Sequence, residues 1–149
     1  MISKILVPTD GSKAAQKAAK YAVKLAKQTG AEILLLSVID KRFMVSQSIP
    51  AIASSTHLID TVEDYLRQAA EAYTKEIREL CGKNNVRSKT LIRTGRPVEE
   101  IIKEAKKSRA DLIVMGSHGK SALKATVLGS VTIGVLHKDT RIPVLLVRR

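Results

Sequence analysis

The chain has 149 residues, 44% of them hydrophobic, and its 26 Lys and Arg against 14 Asp and Glu give a formal charge of +12. That length suits a single domain, spanning 1–149, and the composition excludes a disordered chain, while the basic balance favours an anionic partner. Cys81, the single cysteine, excludes an internal disulfide or a cysteine-rich metal site and reads as a small buried hydrophobe.

Ile2 to Pro8 is a short apolar run closed by Asp10-Gly11-Ser12 and reads as a first strand. Ser12 is a natural N-cap for a helix that stops at Gly30. That helix has Lys13, Lys17, Lys20, Lys24 and Lys27 along one side and Ala15, Ala18, Ala19, Ala22, Leu25 and Ala26 on the other, the division of a surface helix. Glu32 to Ile39 is a second buried strand. Residues 43–59 contain no Lys, Arg, Asp or Glu, and the stretch from about 40 to 59 reads as a long loop, either functional or mobile. From about Asp60 to Cys81 the apolar residues keep a helical period, with Gly82 in the stop position. Val86 to Arg93 alternates and suits an edge strand. Pro97 opens another helix, with Glu99 and Glu100 early and Lys106 and Lys107 late, as the helix dipole favours. Asp111 to Met115 is a fourth strand, Gly129 to His137 a last helix and Ile142 to Val147 a fifth strand. Strands alternating with helices in this way predict a single-domain α/β fold, an open parallel five-stranded sheet with helices on both faces. No apolar stretch approaches the roughly 20 residues that span a bilayer. MISKILVPTD runs straight into a strand pattern without the apolar core of a secretion signal. The expectation is a cytoplasmic protein with no membrane partner.

The segment after the fourth strand carries the chemistry. It reads Gly116-Ser117-His118-Gly119-Lys120-Ser121-Ala122, and Gly129-Ser130-Val131-Thr132 follows further on. In an open parallel sheet ligands bind at the carboxyl ends of the strands, where the winding reverses. Glycines there admit a phosphate close to the backbone, and the unpaired N–H groups of a helix beginning near Ser130 attract an anion. Gly-x-x-Gly alone is common in turns, and Gly-Ser before a helix is commonly a cap. The combination of strand, Gly-x-x-Gly, spacer, Gly-Ser and helix is more specific than any of its parts.

With ILVPTDGS at residues 5–12, IPVLLV at 142–147 and the spacing G-x2-G-x9-G-(S/T) met by Gly116, Gly119, Gly129 and Ser130, the chain resembles the universal stress protein (UspA) family over essentially its whole length. The resemblance points to the family's ATP-binding branch. It implies a Rossmann-like, adenine nucleotide alpha hydrolase-like sheet of order 3-2-1-4-5, and a homodimer. It also implies that Pro8, Thr9 and Asp10 border the adenosine, with Asp10 near the ribose, and that the backbone of Val38 meets adenine. The loop from Gly116 through Ser117, His118, Gly119, Lys120 and Ser121 to Ala122 then follows ribose and phosphates, and Ser130, Val131 and Thr132 hold the phosphate end. For Asp10 a plain turn with Gly11, and for Val38 plain core packing, stand as alternatives. In that strand order the last strand is an edge, and its apolar run from Ile142 to Val147 invites pairing with a second copy.

No catalytic constellation accompanies this loop. GxxxxGK(S/T) and HExxH are absent, and His57, His118 and His137 have no metal-ligand spacing. The expected role is an ATP-dependent regulator or switch in a stress response, with at most slow hydrolysis aided by Mg2+ or Mn2+ on the phosphates. The alternative is a charge-driven nucleic-acid-binding protein or a scaffold dimer with an empty loop. The aromatics Tyr21, Phe43, Tyr65 and Tyr73 are not interleaved with basic clusters, so base stacking on single strands is poorly supported.

Overall fold

The computed structural model describes residues 1–40, 42, 56–118, 128–138 and 140–148, with 56–60 described by backbone alone. The elements are β1 (Lys4–Pro8), α1 (Lys13–Thr29), β2 (Glu32–Asp40), α2 (Thr56–Lys83), β3 (Ser88–Gly95), α3 (Pro97–Ser108), β4 (Leu112–Gly116), α4 (Ser130–His137) and β5 (Val144–Val147). All five strands join one sheet in the order β3-β2-β1-β4-β5, and every neighbouring pair is parallel. The expected fold class and strand order are therefore met.

Alternate residues of the central strands feed two cores, because side chains of a strand point to opposite faces in turn. Ile5, Val7, Ile33, Leu35 and Val114 pack with Ala18, Ala22 and Ala26 of α1 and Ile77 and Cys81 of α2. Leu6, Leu34, Leu36 and Ile113 pack on the other side with Ile101, Ile102 and Ala105 of α3 and Val135 of α4. Each fully buried aliphatic side chain, Ile77 for example, contributes ~1.5–3 kcal/mol relative to exposure. The alanines of α1 have a geometric role as well. They let the helix approach so closely that a Cβ on Gly116 would lie 3.0 Å from the Ala14 backbone.

The helix ends follow local chemistry. Ser12 caps α1 by accepting from the Ala15 N–H at 3.2 Å, and Gly30 closes it in the left-handed region at φ 77°. Pro97 opens α3, and Arg109 closes it at φ 56°. α2 departs from expectation at both ends. It begins at Thr56, inside the stretch read as a loop, and it passes through Gly82 to Lys83. The glycine costs the helix about 1 kcal/mol, which burial of Cys81 one residue earlier offsets. Asn85 takes the left-handed position instead, at φ 56°, and the Val86 N–H donates to Cys81 O at 2.9 Å. The rest of the expected loop, 43–55, lies outside the described residues.

β5 starts at Val144 and not at Ile142, since Pro143 has no N–H for the ladder, although its carbonyl accepts from Ile113 at 2.9 Å. β4 likewise begins after Asp111. That carboxylate accepts from the Ser3 N–H and hydroxyl, both at 2.8 Å, and from the Lys4 N–H at 2.9 Å. These three donors hold its carboxyl below the usual range, and they brace the amino end of the sheet. Among the described residues no helix is long and apolar enough to cross a membrane.

Candidate functional site

β1 lies at the centre of the sheet, with β2 on one side and β4 on the other, so the winding reverses between β1 and β4. At the carboxyl ends of these strands a cavity of about 370 Å³ opens, within the ~300–1,000 Å³ typical of small-molecule sites. Pro8, Thr9 and Asp10 at the end of β1, Val38 from β2, Gly116 and His118 at the end of β4, and Gly129, Ser130, Val131 and Thr132 at the start of α4 all line it. Ser117 is buried behind this lining and does not form part of it. Gly119, Lys120, Ser121 and Ala122 lie outside the described residues.

The β1 end is held by a relay of polar contacts. The Thr9 N–H extends the ladder to Leu36 O at 2.9 Å, and its hydroxyl donates to Gln16 Oε1 at 2.7 Å. Gln16 Nε2 in turn donates to the Tyr73 carbonyl at 3.0 Å, which ties α2 to the first turn of α1. Asp10 Oδ1 accepts from the Ser12 N–H at 2.9 Å, so the turn role exists, and the same residue faces the cavity. Val38 also combines two positions, since it packs against the α3-side core and lines the cavity.

The β4 end is clamped to α4 and β5. Ser117 N–H donates to Val147 O at 3.1 Å, Gly129 N–H donates to Ser117 O at 2.9 Å, and the Thr132 hydroxyl donates to Gly116 O at 3.0 Å. Gly129 is extended at φ −63° and acts as the N-cap with no side-chain cap hydrogen bond, and the first residues of α4 line the cavity. His118 is 8% exposed. Its Nδ1 shares a hydrogen bond with Ser117 Oγ at 2.7 Å, and its Nε2 is buried without a partner among the described residues. An unpaired buried polar atom costs ~1–3 kcal/mol, so this nitrogen favours an occupant that can hydrogen-bond to it.

Sequence reasoning missed one wall of the site. Leu66, Ala69 and Tyr73 of α2 face the cavity, as do Asp40 at the end of β2 and Arg42 beyond it. Asp40 and Arg42 form an ion pair at 3.3 Å at the rim. The Tyr73 hydroxyl is hydrogen-bonded to Ser37 Oγ. Burial pushes the Tyr73 phenol up from its usual value, the Ser37 hydrogen bond opposes this, and the charge of Asp10 adds to the rise. The available signal was the polar tip of Tyr73 within an apolar helical stripe, since a buried phenol needs a partner. Among the described residues no group of three or more His, Cys, Asp or Glu could hold a metal ion.

A family model described as the universal stress protein family matches residues 1–148. A universal stress protein of Methanocaldococcus jannaschii is 36% identical over 157 residues, covering 100% of this chain and 96% of the relative. Its solved structure superposes with a TM-score of 0.86, covering 100% of this chain and 97% of that one. Universal stress protein YxiE of Bacillus subtilis is 35% identical over 149 residues, 99% of this chain and 100% of the relative. UspA from Lactobacillus plantarum matches with a TM-score of 0.85 at 28% identity, covering 99% and 98%. Two further proteins share the fold at 22% and 19% identity, with TM-scores of 0.68 and 0.67. One was solved in complex with cAMP and the other, from Arabidopsis thaliana, with AMP bound.

Proposed function

Because the chain belongs to the universal stress protein family, we propose that it binds ATP in the cavity between β1 and β4 and acts as a nucleotide-dependent regulator in a cytoplasmic stress response. The observation that carries this reading is the convergence at one cavity of the α4 N-terminus and the partnerless Nε2 of His118. Each of these features favours an anion or a hydrogen-bonding ligand. The apolar wall from Val38, Leu66 and Ala69 suits a flat base. The adenine-nucleotide complexes of the same fold support the choice of ligand class.

In this reading Pro8, Thr9 and Asp10 border the adenosine, with the Asp10 carboxylate toward the ribose, and the Val38 backbone meets the base. Gly116 to Ala122, with Ser117 as the support for His118, follow ribose and phosphates. Gly129, Ser130, Val131 and Thr132 hold the phosphate end. Mg2+ or Mn2+ would ride on the phosphates. ATP serves as a signal in this reading, with at most slow hydrolysis. The apolar edge of β5 pairs with a second copy in a homodimer; a monomer in light scattering at micromolar concentration counts against that part.

The test is thermal melting with and without Mg-ATP. At about a hundred times the dissociation constant the ligand adds ~2.7 kcal/mol, or about 5–10 °C for a chain of this size. No shift with ATP, ADP or AMP overturns the proposal. Ser130→Asp supplies the control. Ser130 is exposed at the first turn of α4, where a carboxylate suits the helix dipole, so the fold is kept while a phosphate is repelled. This variant should melt at least as high as the parent and lose the ATP shift.

A further inference from the structure

α1 runs KAAQKAAKYAVKLAKQT, with five lysines and neither Asp nor Glu, and all five lysines are exposed. Neighbours along this ladder stand three or four residues apart, the spacing at which like charges on a helix repel. Lys13 adds a cation in the first turn, where the helix dipole disfavours one. Among the described carboxylates only Glu76 pairs with the ladder, through Lys20 at 3.5 Å, with both side chains more than half exposed. α3 shows the arrangement that stability alone favours. Glu99 and Glu100 sit in its first turn, Lys106 and Lys107 in its last, and Glu104 pairs with Arg93 at 3.2 Å. The α1 ladder therefore opposes folding, and an external polyanion relieves it.

The ladder spans roughly 21 Å from Lys13 to Lys27 at 1.5 Å per residue. Its far end continues into the α2 terminus, since Lys27 Nζ donates to Asn84 Oδ1 at 3.4 Å beside the exposed Lys83. At one lysine per ~5 Å the ladder offers about two cations for every three phosphates of a duplex strand that carries one per ~3.4 Å of axis. Tyr21, 47% exposed, is the one large apolar or aromatic side chain exposed on α1. A single-strand platform needs a series of aromatics, and a bilayer surface site needs an apolar face to insert. Both are disfavoured relative to contact with a phosphate backbone.

We propose that the outer face of α1 is a docking track for the backbone of double-stranded nucleic acid, bound without reading its sequence. This does not rest on the nucleotide reading. The test is the affinity of the full chain for a labelled DNA duplex, measured between about 50 and 200 mM salt. Each phosphate contact contributes ~0.9 to the slope of log affinity against log salt, so the triple variant Lys17→Gln, Lys24→Gln, Lys27→Gln should lower the slope by ~2–3. The triple variant Lys103→Gln, Lys106→Gln, Lys107→Gln removes the same charge from α3, on the opposite face of the sheet, and should lower it by less than one such contact. The α1 variant should also melt no lower than the parent, because repulsion has been removed. Equal losses from both variants would assign binding to bulk charge and overturn the proposal. So would binding to phosphatidylserine vesicles with none to duplex, no binding at the lowest salt, or a lower melting point for the α1 variant.

Discussion

Gly11 and Gly30 form a matched pair for testing how the α2 wall is held. Both sit in the left-handed region, at φ 81° and φ 77°. A Cβ on Gly30 would meet nothing within 4 Å, whereas one on Gly11 would lie 2.4 Å from Tyr73 Cδ2 and 2.8 Å from Cε2. The ring cannot easily recede, because its hydroxyl is bonded to Ser37 and its carbonyl to Gln16. Alanine in this backbone region costs ~1–2 kcal/mol, partly offset by the ~0.4–1 kcal/mol gained from a stiffer unfolded chain. Gly30→Ala should therefore cost about 1 kcal/mol, a fall in Tm of about 2–4 °C. Gly11→Ala adds an overpacking cost of ~1–3 kcal/mol, and its total of about 2–4 kcal/mol should lower Tm by about 5–15 °C. Calorimetry or urea melts at one pH measure both variants. In a Tyr73→Leu background the extra cost of Gly11→Ala should largely vanish, as coupling through one contact requires. Equal losses at the two glycines, or an undiminished loss once Tyr73→Leu has removed the ring, would refute the account of Tyr73 as a fixed wall.

Other consequences can be measured directly. Tyr73→Phe should cost ~1–3 kcal/mol, because it leaves the buried Ser37 hydroxyl without its phenol partner. Since the Tyr73 phenol is raised in the folded state, its contribution is complete below the ordinary phenol value near pH 10 and declines as pH rises through the folded value. The variant should accordingly lose less stability than the parent in alkaline melts. Asp111 has the opposite sign. Its folded value is lowered, so its contribution is present above the ordinary carboxylate range and is lost as pH falls through the folded value. Asp111→Asn should flatten the acid limb of a stability profile, and an unchanged acid limb would contradict the brace on Ser3 and Lys4. Cys81 has no exposed surface and burial raises its thiol, so thiol labelling of the native chain should proceed only at the rate of opening.

Much of this fold can be read locally. Ser12, Gly30 and Pro97 mark their helix ends by side-chain or backbone chemistry that acts over three or four residues, and each stands at its expected boundary. The strand order is a different matter, since local pattern predicts a parallel sheet but its order came from resemblance to a family. The start of α2 escaped because 43–59 lacks the charged residues that make a helical period visible. Gly82 misled because tertiary packing of Ile77 and Cys81 carries the helix past a residue that would end an isolated one. The residues between β4 and α4 announce themselves by glycine spacing, and the cavity lining gathers those that are described except Ser117. The α2 wall did not, because the contacts that place Tyr73 join residues 36 and 57 positions apart, a relation no periodicity encodes.

The clamp on the two feet of the glycine loop has one further consequence. Ser117 and Gly129 are tied to each other, and Gly116 and Ser117 are tied to α4 and β5 by separate hydrogen bonds. The distance between the two feet is thus set by β4, β5 and α4 themselves. Any ligand seated at this end of the sheet meets a junction that the scaffold has already assembled.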